Sequence, residues 1–138
     1  MQIDIAHRMT LALVLGAFGS CTPTAPALRD ATLTGAWGGP HVRLQLSPTG
    51  GAIEYDCAHG SLTAPPRTDA DGRFAVPGWH VREHGGPIRQ GEPVDSVPAS
   101  YRGSVADDRM TLRVVAGADT LGPFTLQRGA AAQLYKCL

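Results

Sequence analysis

The feature that most constrains the fold of this chain is the spacing of its glycine and proline residues. Beyond residue 20, no window of eleven or more residues keeps apolar side chains at helical spacing without a Gly or Pro inside it. Both residues disfavour a helix interior, glycine because it loses most conformational freedom and proline because it lacks an N–H group. The sequence therefore predicts a domain with no substantial helix.

Between these breaks, short segments alternate apolar and polar residues, as strands with one buried face do. In the clearest segment, Val42, Leu44 and Leu46 alternate with polar neighbours. Turn residues such as Asp69-Ala70-Asp71-Gly72 separate the segments, and Pro77-Gly78 is expected to end one strand before the next begins. We count about eight strands. The later ones are marked by these residues: Ile53, Tyr55 and Cys57; Phe74 and Val76; Trp79 and Val81; Tyr101 to Val105; Met110 to Val114; Phe124 and Leu126; and Leu134 to Leu138.

Regularly spaced short strands with turn signals between them predict an all-β domain. We expect a small antiparallel meander barrel, with a sandwich as the alternative. A closed barrel leaves no strand edge open to other chains. Short connections between antiparallel neighbours favour a meander over a Greek key.

The first twenty residues differ in character from the rest. His7 and Arg8 precede an apolar run, Met9 to Gly19, which has the length of a secretory signal core and is too short to cross a bilayer. The run leads into Phe18-Gly19-Ser20-Cys21, which resembles the lipobox of bacterial lipoproteins, where the cysteine is acylated and the chain is cut just before it. The resemblance implies export and a lipid anchor at Cys21. The alternative is an ordinary secretory signal cut near Ser20.

These features divide the chain into a signal peptide (1–20), a lipidated tether (21–32) and a single β domain (33–138). The tether is rich in Thr and Pro and has no apolar periodicity. The remainder has the size of one ordinary domain. Thr22 follows the cysteine where an acidic residue would retain some lipoproteins at the inner membrane. By this resemblance, the protein of a diderm host is expected on the outer membrane, facing the periplasm.

The three cysteines fit the same interpretation. An exported protein is exposed to an oxidising compartment, where an odd thiol is a liability. Acylation of Cys21 leaves Cys57 and Cys137, which we expect to form a disulfide. A metal site is the competing use, but no second cysteine lies at a zinc-ligand spacing from either residue.

Two further resemblances bear on the class of protein. Gly35-Ala36-Trp37 is similar to the start of lipocalins and other small calycin-like barrels, in which the tryptophan closes one end of the barrel. The segments Asp56-Cys57-Ala58-His59-Gly60 and Arg82-Glu83-His84-Gly85-Gly86-Pro87 resemble those of small bacterial lipoproteins of unassigned function. The first implies a binding barrel, and the second implies no activity.

Charge and residue pattern argue against several functions. The formal net charge is zero, so a basic nucleic-acid groove is not expected. His80 and His84 could share a strand face and bracket a metal with His41 or His59, but Arg82 between them would oppose a cation. A hydrolase built on Asp56, His59 and a serine lacks a Gly-x-Ser-x-Gly elbow. No metal, cofactor or catalytic residue is therefore predicted.

The irregular stretch from Gly85 to Pro98 is long for a connection, and long ordered loops are often functional. We expect any ligand to bind at the rim that this loop forms with Trp79 and the corner from Trp37 to His41. The function expected is a non-catalytic envelope lipoprotein that binds a small apolar ligand, and the alternative is a structural or protein-interaction module of the envelope. A binding barrel predicts a cavity, whereas an interaction module predicts a filled interior and an external apolar patch. The predicted ligand-binding residues are Trp37, His41, Trp79, His80 and His84.

Overall fold

The computed structural model describes residues 30–138, in which eight antiparallel strands close into a barrel. The strands are β1 (Gly35–Gly39), β2 (Val42–Ser47), β3 (Gly50–Tyr55), β4 (Ala58–Leu62), β5 (Arg73–Arg82), β6 (Ser96–Ala106), β7 (Arg109–Ala116) and β8 (Asp119–Arg128). Each strand pairs with the next along the chain and β8 returns to β1, which confirms the predicted meander barrel. The described residues contain no helix, and hence none that could cross a membrane. The predicted signal peptide, Cys21 and most of the predicted tether lie outside the described residues.

The barrel interior is filled by side chains from alternate strand positions. On β2, for example, Val42, Leu44 and Leu46 are buried while the residues between them are exposed, as the sequence predicted. The inward side chains form one hydrophobic cluster, whose most completely buried large members include Trp37, Leu44, Ile53, Tyr101, Met110, Leu112 and Leu126. Space for a ligand must therefore be sought at the ends or on the outside of the barrel.

The two ends of the barrel differ in their connections. We call one end the mouth; it carries the turns at residues 40–41, 56–57 and 117–118 and the long loop at 83–95. The opposite end, the base, carries the connections at 48–49, 63–72 and 107–108. The chain enters at the base, where the Leu33 N–H donates to the carbonyl of Pro66 at 2.9 Å.

The seam between β1 and β8 is short. These strands share two register pairs, Trp37 with Arg128 and Gly38 with Gln127, and the chain beyond β8 then turns back beside β1. We call residues 129–138 the C-terminal tail. The Gln133 N–H donates to the carbonyl of Gly39 at 3.2 Å, and the carbonyl of Gln133 accepts from the His41 N–H at 2.8 Å. The tail thus continues the pairing of β1 where β8 leaves it.

A disulfide between Cys57 and Cys137 fixes the far end of this tail at the mouth, with the two α-carbons 5.2 Å apart. The predicted bond is confirmed, but the prediction that residues 134–138 form the last strand is wrong. Around this position the chain makes only an isolated bridge between Pro40 and Gln133. The barrel is closed by β8, and the disulfide secures a tail outside it.

Two other strands depart from the sequence-based description. The expected end of a strand at Pro77-Gly78 is wrong, because β5 continues through both residues. Gly78 faces inward, where a Cβ atom would contact the ring of Tyr101, so the missing side chain makes room for a neighbour. The uninterrupted alternation places Trp79 on the outside and His80 on the inside. Strand β4 was not predicted as a separate strand, and Cys57, expected on the inward face of the preceding strand, lies in the turn between β3 and β4.

Candidate ligand pocket at the barrel mouth

An open pocket of about 360 Å³ lies at the mouth, within the size range of small-molecule sites. Its buried lining residues are Tyr55 from β3, Ala58 from β4 and His80 from β5. Leu121 and Phe124 of β8, both half-buried, supply further apolar surface. The remaining lining residues are His41, Asp56, Cys57 and Arg82. We call this space the mouth pocket.

His80 is the most unusual group in the mouth pocket. Its side chain is among the few buried polar ones, with the residue only 3% exposed, and its Nδ1 atom has no hydrogen-bond partner among the described residues. Burial lowers the pKa of His80, and the positive charge of Arg82 adds to the effect. The imidazole is therefore neutral near pH 7, with one nitrogen that donates and one that accepts a hydrogen bond.

Tyr55 continues the aromatic lining. Its ring centroid lies 5.5 Å from that of His80 and 5.6 Å from that of Phe124, so the three rings form a row. Burial raises the pKa of Tyr55 far above its ordinary value, and the nearby Tyr101 hydroxyl contributes. That neighbour donates its own hydrogen bond to the carbonyl of Trp79 at 2.7 Å, and the Tyr55 hydroxyl has no partner within normal hydrogen-bond geometry in the described chain.

Charged groups at the rim of the mouth pocket are paired with one another. Arg82 bonds Asp119 and lies 3.5 Å from a carboxylate oxygen of Asp95. Asp56 accepts hydrogen bonds from the backbone N–H of Tyr135 at 2.8 Å and from His41 Nδ1 at 2.6 Å. The Tyr135 bond is the larger cause of the lowered pKa of Asp56. The pocket thus combines an apolar aromatic lining with a rim whose charges are already compensated.

Two of the five predicted ligand-binding residues, His41 and His80, lie at the mouth pocket. His84 lies in the 83–95 loop, where its Nδ1 donates to the Gly85 carbonyl at 2.9 Å and its Nε2 lies 2.6 Å from Glu92. These contacts raise the pKa of His84, the Gly85 carbonyl most. His84 lines other pockets, formed by the loop, and not the mouth pocket.

The two predicted tryptophans lie apart from the mouth pocket and from each other. Trp37 is 1% exposed, and the guanidinium carbon of Arg128 lies 4.2 Å from its ring centroid. That distance is typical of a cation–π contact. Trp79 points outward and is 48% exposed. The structure therefore separates these tryptophans into one core residue and one surface residue.

Sequence reasoning did not assign Tyr55, Leu121 or Phe124 to a ligand site. The alternation of apolar and polar residues predicts that Tyr55 and Phe124 lie on strands. The missing information was their approach across the barrel, because β3 and β8 are separated by two strands around its circumference.

Two histidine–carboxylate pairs involve His41 and His59. Asp56 pairs with His41, whereas His59 pairs with Glu83 at 2.7 Å, so the pair considered from the sequence does not form. In the described chain no serine hydroxyl or thiol hydrogen-bonds to either histidine, as an activated nucleophile would. Within residues 30–138, no three His, Cys, Asp or Glu side chains are grouped to hold a metal ion.

Comparisons with known proteins identify no relative. No protein-family model, no curated protein and no solved structure matches the chain.

Proposed function

We propose that this chain is a lipid-anchored envelope protein whose barrel binds a small, uncharged and largely apolar molecule at its mouth without transforming it. The observation that carries the proposal is the mouth pocket itself, where an aromatic row ends at a buried His80 whose Nδ1 no described protein group satisfies. Apolar walls with a few convergent polar groups are the usual composition of a small-molecule site.

The rim argues for an uncharged ligand. Arg82 is paired with Asp119, Asp56 already accepts hydrogen bonds from His41 and from the Tyr135 N–H, and His80 is neutral near pH 7. A charged ligand would lose hydration on entering this pocket without gaining a free counter-charge. A neutral molecule that carries one hydroxyl or N–H group would instead match the neutral imidazole.

The anchor in this proposal comes from the sequence. Phe18-Gly19-Ser20-Cys21 resembles a lipobox, so acyl chains at Cys21 would hold the barrel at the membrane surface. In a diderm host we place it at the outer membrane, facing the periplasm. The membrane is thus the first expected partner, and an apolar ligand is the second.

The test uses indole and phenol as neutral aromatic probes. Titrated into the purified protein, each should shift the ring signals of His80 and Phe124 in NMR spectra in a saturable manner. Leu121→Trp places a large side chain at the pocket and should weaken binding of both probes at least tenfold. Thr120→Trp is the matched control, because Thr120 is exposed on the opposite face of the same strand and should leave binding unchanged.

Two results would count against the mouth pocket. Equal binding by the wild type and Leu121→Trp would place the probe elsewhere. Probe-induced shifts at Trp79 without shifts at His80 would locate it on the outer surface. Thermal unfolding of each variant establishes that lost binding does not come from lost folding.

A second candidate function is supported by the filled interior and by the outside of the barrel. Apolar side chains are exposed there, with Ile88 85% and Val94 73% accessible, beside Val81 in a groove of about 380 Å³ between the loop and the wall. Exposed apolar patches often mark protein contacts. If the protein is an interaction module of the envelope, Ile88→Ser with Val94→Ser should abolish cross-links to an envelope protein and leave the melting temperature unchanged. Cross-links that persist in this variant would contradict the second candidate.

A further inference from the structure

Three arginines lie together on the outer wall of the barrel, away from the mouth pocket. Arg73 of β5, Arg102 of β6 and Arg113 of β7 line an open cleft of about 300 Å³. The hydroxyl-bearing residues Ser104 and Thr111 line the same cleft. We call this surface the wall cleft. Its lining therefore presents hydrogen-bond donors and positive charge.

Two of these arginines face each other directly. Arg102 and Arg113 are register partners in the antiparallel pairing of β6 with β7. Side chains at such positions have Cβ atoms only about 4.5–5.5 Å apart, and like charges there destabilise the sheet. The fold therefore places two positively charged side chains opposite each other on the outer face of the sheet.

No carboxylate among the described residues compensates this pair. Arg102 uses its Nε–H to bond the Ser100 hydroxyl at 3.1 Å, and neither Arg102 nor Arg113 lies within ion-pair distance of a described carboxylate. Arg73 has one carboxylate near it, Asp71 at 3.6 Å, and both side chains are mostly exposed. Among the described residues, the three arginines of the wall cleft therefore have one nearby carboxylate, that of Asp71.

Arginines elsewhere on the barrel show the contrast. Arg43 on β2 lies 3.5 Å from Glu54, which is its direct register partner on β3. Arg128 donates to Asp108 at 2.9 Å. Arg43 thus has a register partner of opposite charge. In the wall cleft, by contrast, the register partner of Arg102 is a second arginine.

We propose that the wall cleft binds a phosphoryl group. A guanidinium presents planar, paired N–H donors that match phosphate oxygens. Arg102 and Arg113 would hold the anion between them, Arg73 would supply a third positive charge, and the Ser104 and Thr111 hydroxyls would donate further hydrogen bonds. An anion at this position removes the repulsion between the opposed guanidinium groups.

The position of the wall cleft suggests two sources for the phosphoryl group. Arg73 begins β5 at the base, and Ser104 and Thr111 lie at the same level as Arg73 on the next two strands. The base is also where the chain enters from the predicted tether. The source is therefore a phospholipid headgroup of the anchoring membrane or a soluble phosphate ester, and both share the same chemistry.

Calorimetric titration with inorganic pyrophosphate at low salt tests the shared chemistry. The purified wild type should bind with a stoichiometry of one. Arg102→Gln combined with Arg113→Gln should weaken binding at least tenfold, whereas the control Arg43→Gln should leave it unchanged. Equal binding by the wild type and the double variant would overturn the proposal, because the anion would then be held non-specifically.

Stability provides an independent readout. The double variant should melt at the wild-type temperature or slightly above, because it loses a repulsive pair, and pyrophosphate should raise the melting temperature of the wild type alone. A marked fall in melting temperature without ligand would assign the two arginines a structural role and would overturn the proposal.

Vesicles separate the two sources. These experiments use protein with Cys21→Ser, which removes the predicted acyl anchor. If the source is a headgroup, this protein with an unchanged wall cleft should bind phosphatidylglycerol vesicles more tightly than phosphatidylcholine vesicles. Binding of pyrophosphate without vesicle binding supports a soluble phosphate ester. Failure of both probes overturns the wall cleft and leaves the mouth pocket untouched, since the indole and phenol titrations do not involve these arginines.

Discussion

Cys57 and Cys137 are joined at the mouth of the barrel although 80 positions separate them in the sequence. The bond encloses β4 to β8, so it restricts the unfolded chain far more than the folded one. The chain-entropy account gives about 4–5 kcal/mol of stabilisation as an upper figure. Cys137→Ser should therefore lower the midpoint of denaturant unfolding markedly, in a domain whose total stability is typically about 5–15 kcal/mol.

Reductant is the control for this prediction. It should lower the unfolding midpoint of the wild type to that of Cys137→Ser and should not affect the variant. Wild-type protein whose thiols become alkylated after reduction, yet whose midpoint stays unchanged, would contradict the predicted contribution.

Packing of the C-terminal tail on β1 predicts a strong effect at Gly38. A Cβ atom there would overlap the carbonyl oxygen of Ala130, and the backbone of the following residues lies close behind it. Overpacking of this kind typically costs about 1–3 kcal/mol. Gly38→Val should lower the free energy of unfolding by that amount, whereas Ala36→Val, at an exposed position on the same strand, should change it little.

Hydrogen exchange locates the damage expected in Gly38→Val. The His41 N–H, which donates to the Gln133 carbonyl, should exchange faster in this variant than in the wild type. Unchanged protection at His41 would mean that the tail tolerates a side chain at residue 38.

The pH dependence of stability should reflect the burial of His80. Burial and Arg82 lower the pKa of His80 in the folded state, partly offset by Asp95 and Asp119. The unfolded chain therefore takes up the proton first, near the ordinary histidine value of about 6.5. This contribution to stability is present above that pH and is lost as the pH falls through the lowered folded-state pKa.

Denaturant midpoints between about pH 5 and 8, the range in which histidines titrate, measure this dependence. His80→Gln should make stability fall less on acidification than in the wild type. His84 acts with the opposite sign, because its pKa is raised, so its contribution is present at low pH and lost as the pH rises through the folded-state pKa. Parallel curves for the wild type and His80→Gln would show that His80 titrates normally.

The resemblance of Phe18-Gly19-Ser20-Cys21 to a lipobox predicts a location at the membrane. Cys21→Ser should release it from membranes into the soluble fraction, because acyl chains supply the anchoring. Detergent phase partitioning measures the difference. Wild-type protein that enters the aqueous phase would contradict the lipoprotein interpretation.

Alternation along the chain predicted the strands with large apolar side chains at every second position, such as β2. It failed at β4 and in β5, where Gly60 and Gly78 occupy inward positions. Both glycines make room for Tyr101, whose hydroxyl and ring take the space that their side chains would fill. The large side chain of Tyr101 thus fills the space beside two inward glycines, but in the sequence each glycine shows only a break in the apolar alternation.

The candidate site could be predicted only in part from the sequence. His41 and His80 were identified as binding residues because of their residue type. The pocket, however, is created by the approach of Tyr55 and Phe124 across the barrel. This approach depends on closure of the sheet, which no local pattern records.

The short seam between β1 and β8 has a consequence for how the barrel assembles. Every other strand pair joins neighbours in sequence, so these hairpins can form as the chain emerges, with little loop entropy lost. The other side of β1 can pair only when β8 and then the tail are present. Closure of the seam is therefore the slow, non-local step of folding, and until then the backbone of β1 on its β8 side is an open edge that another chain could occupy.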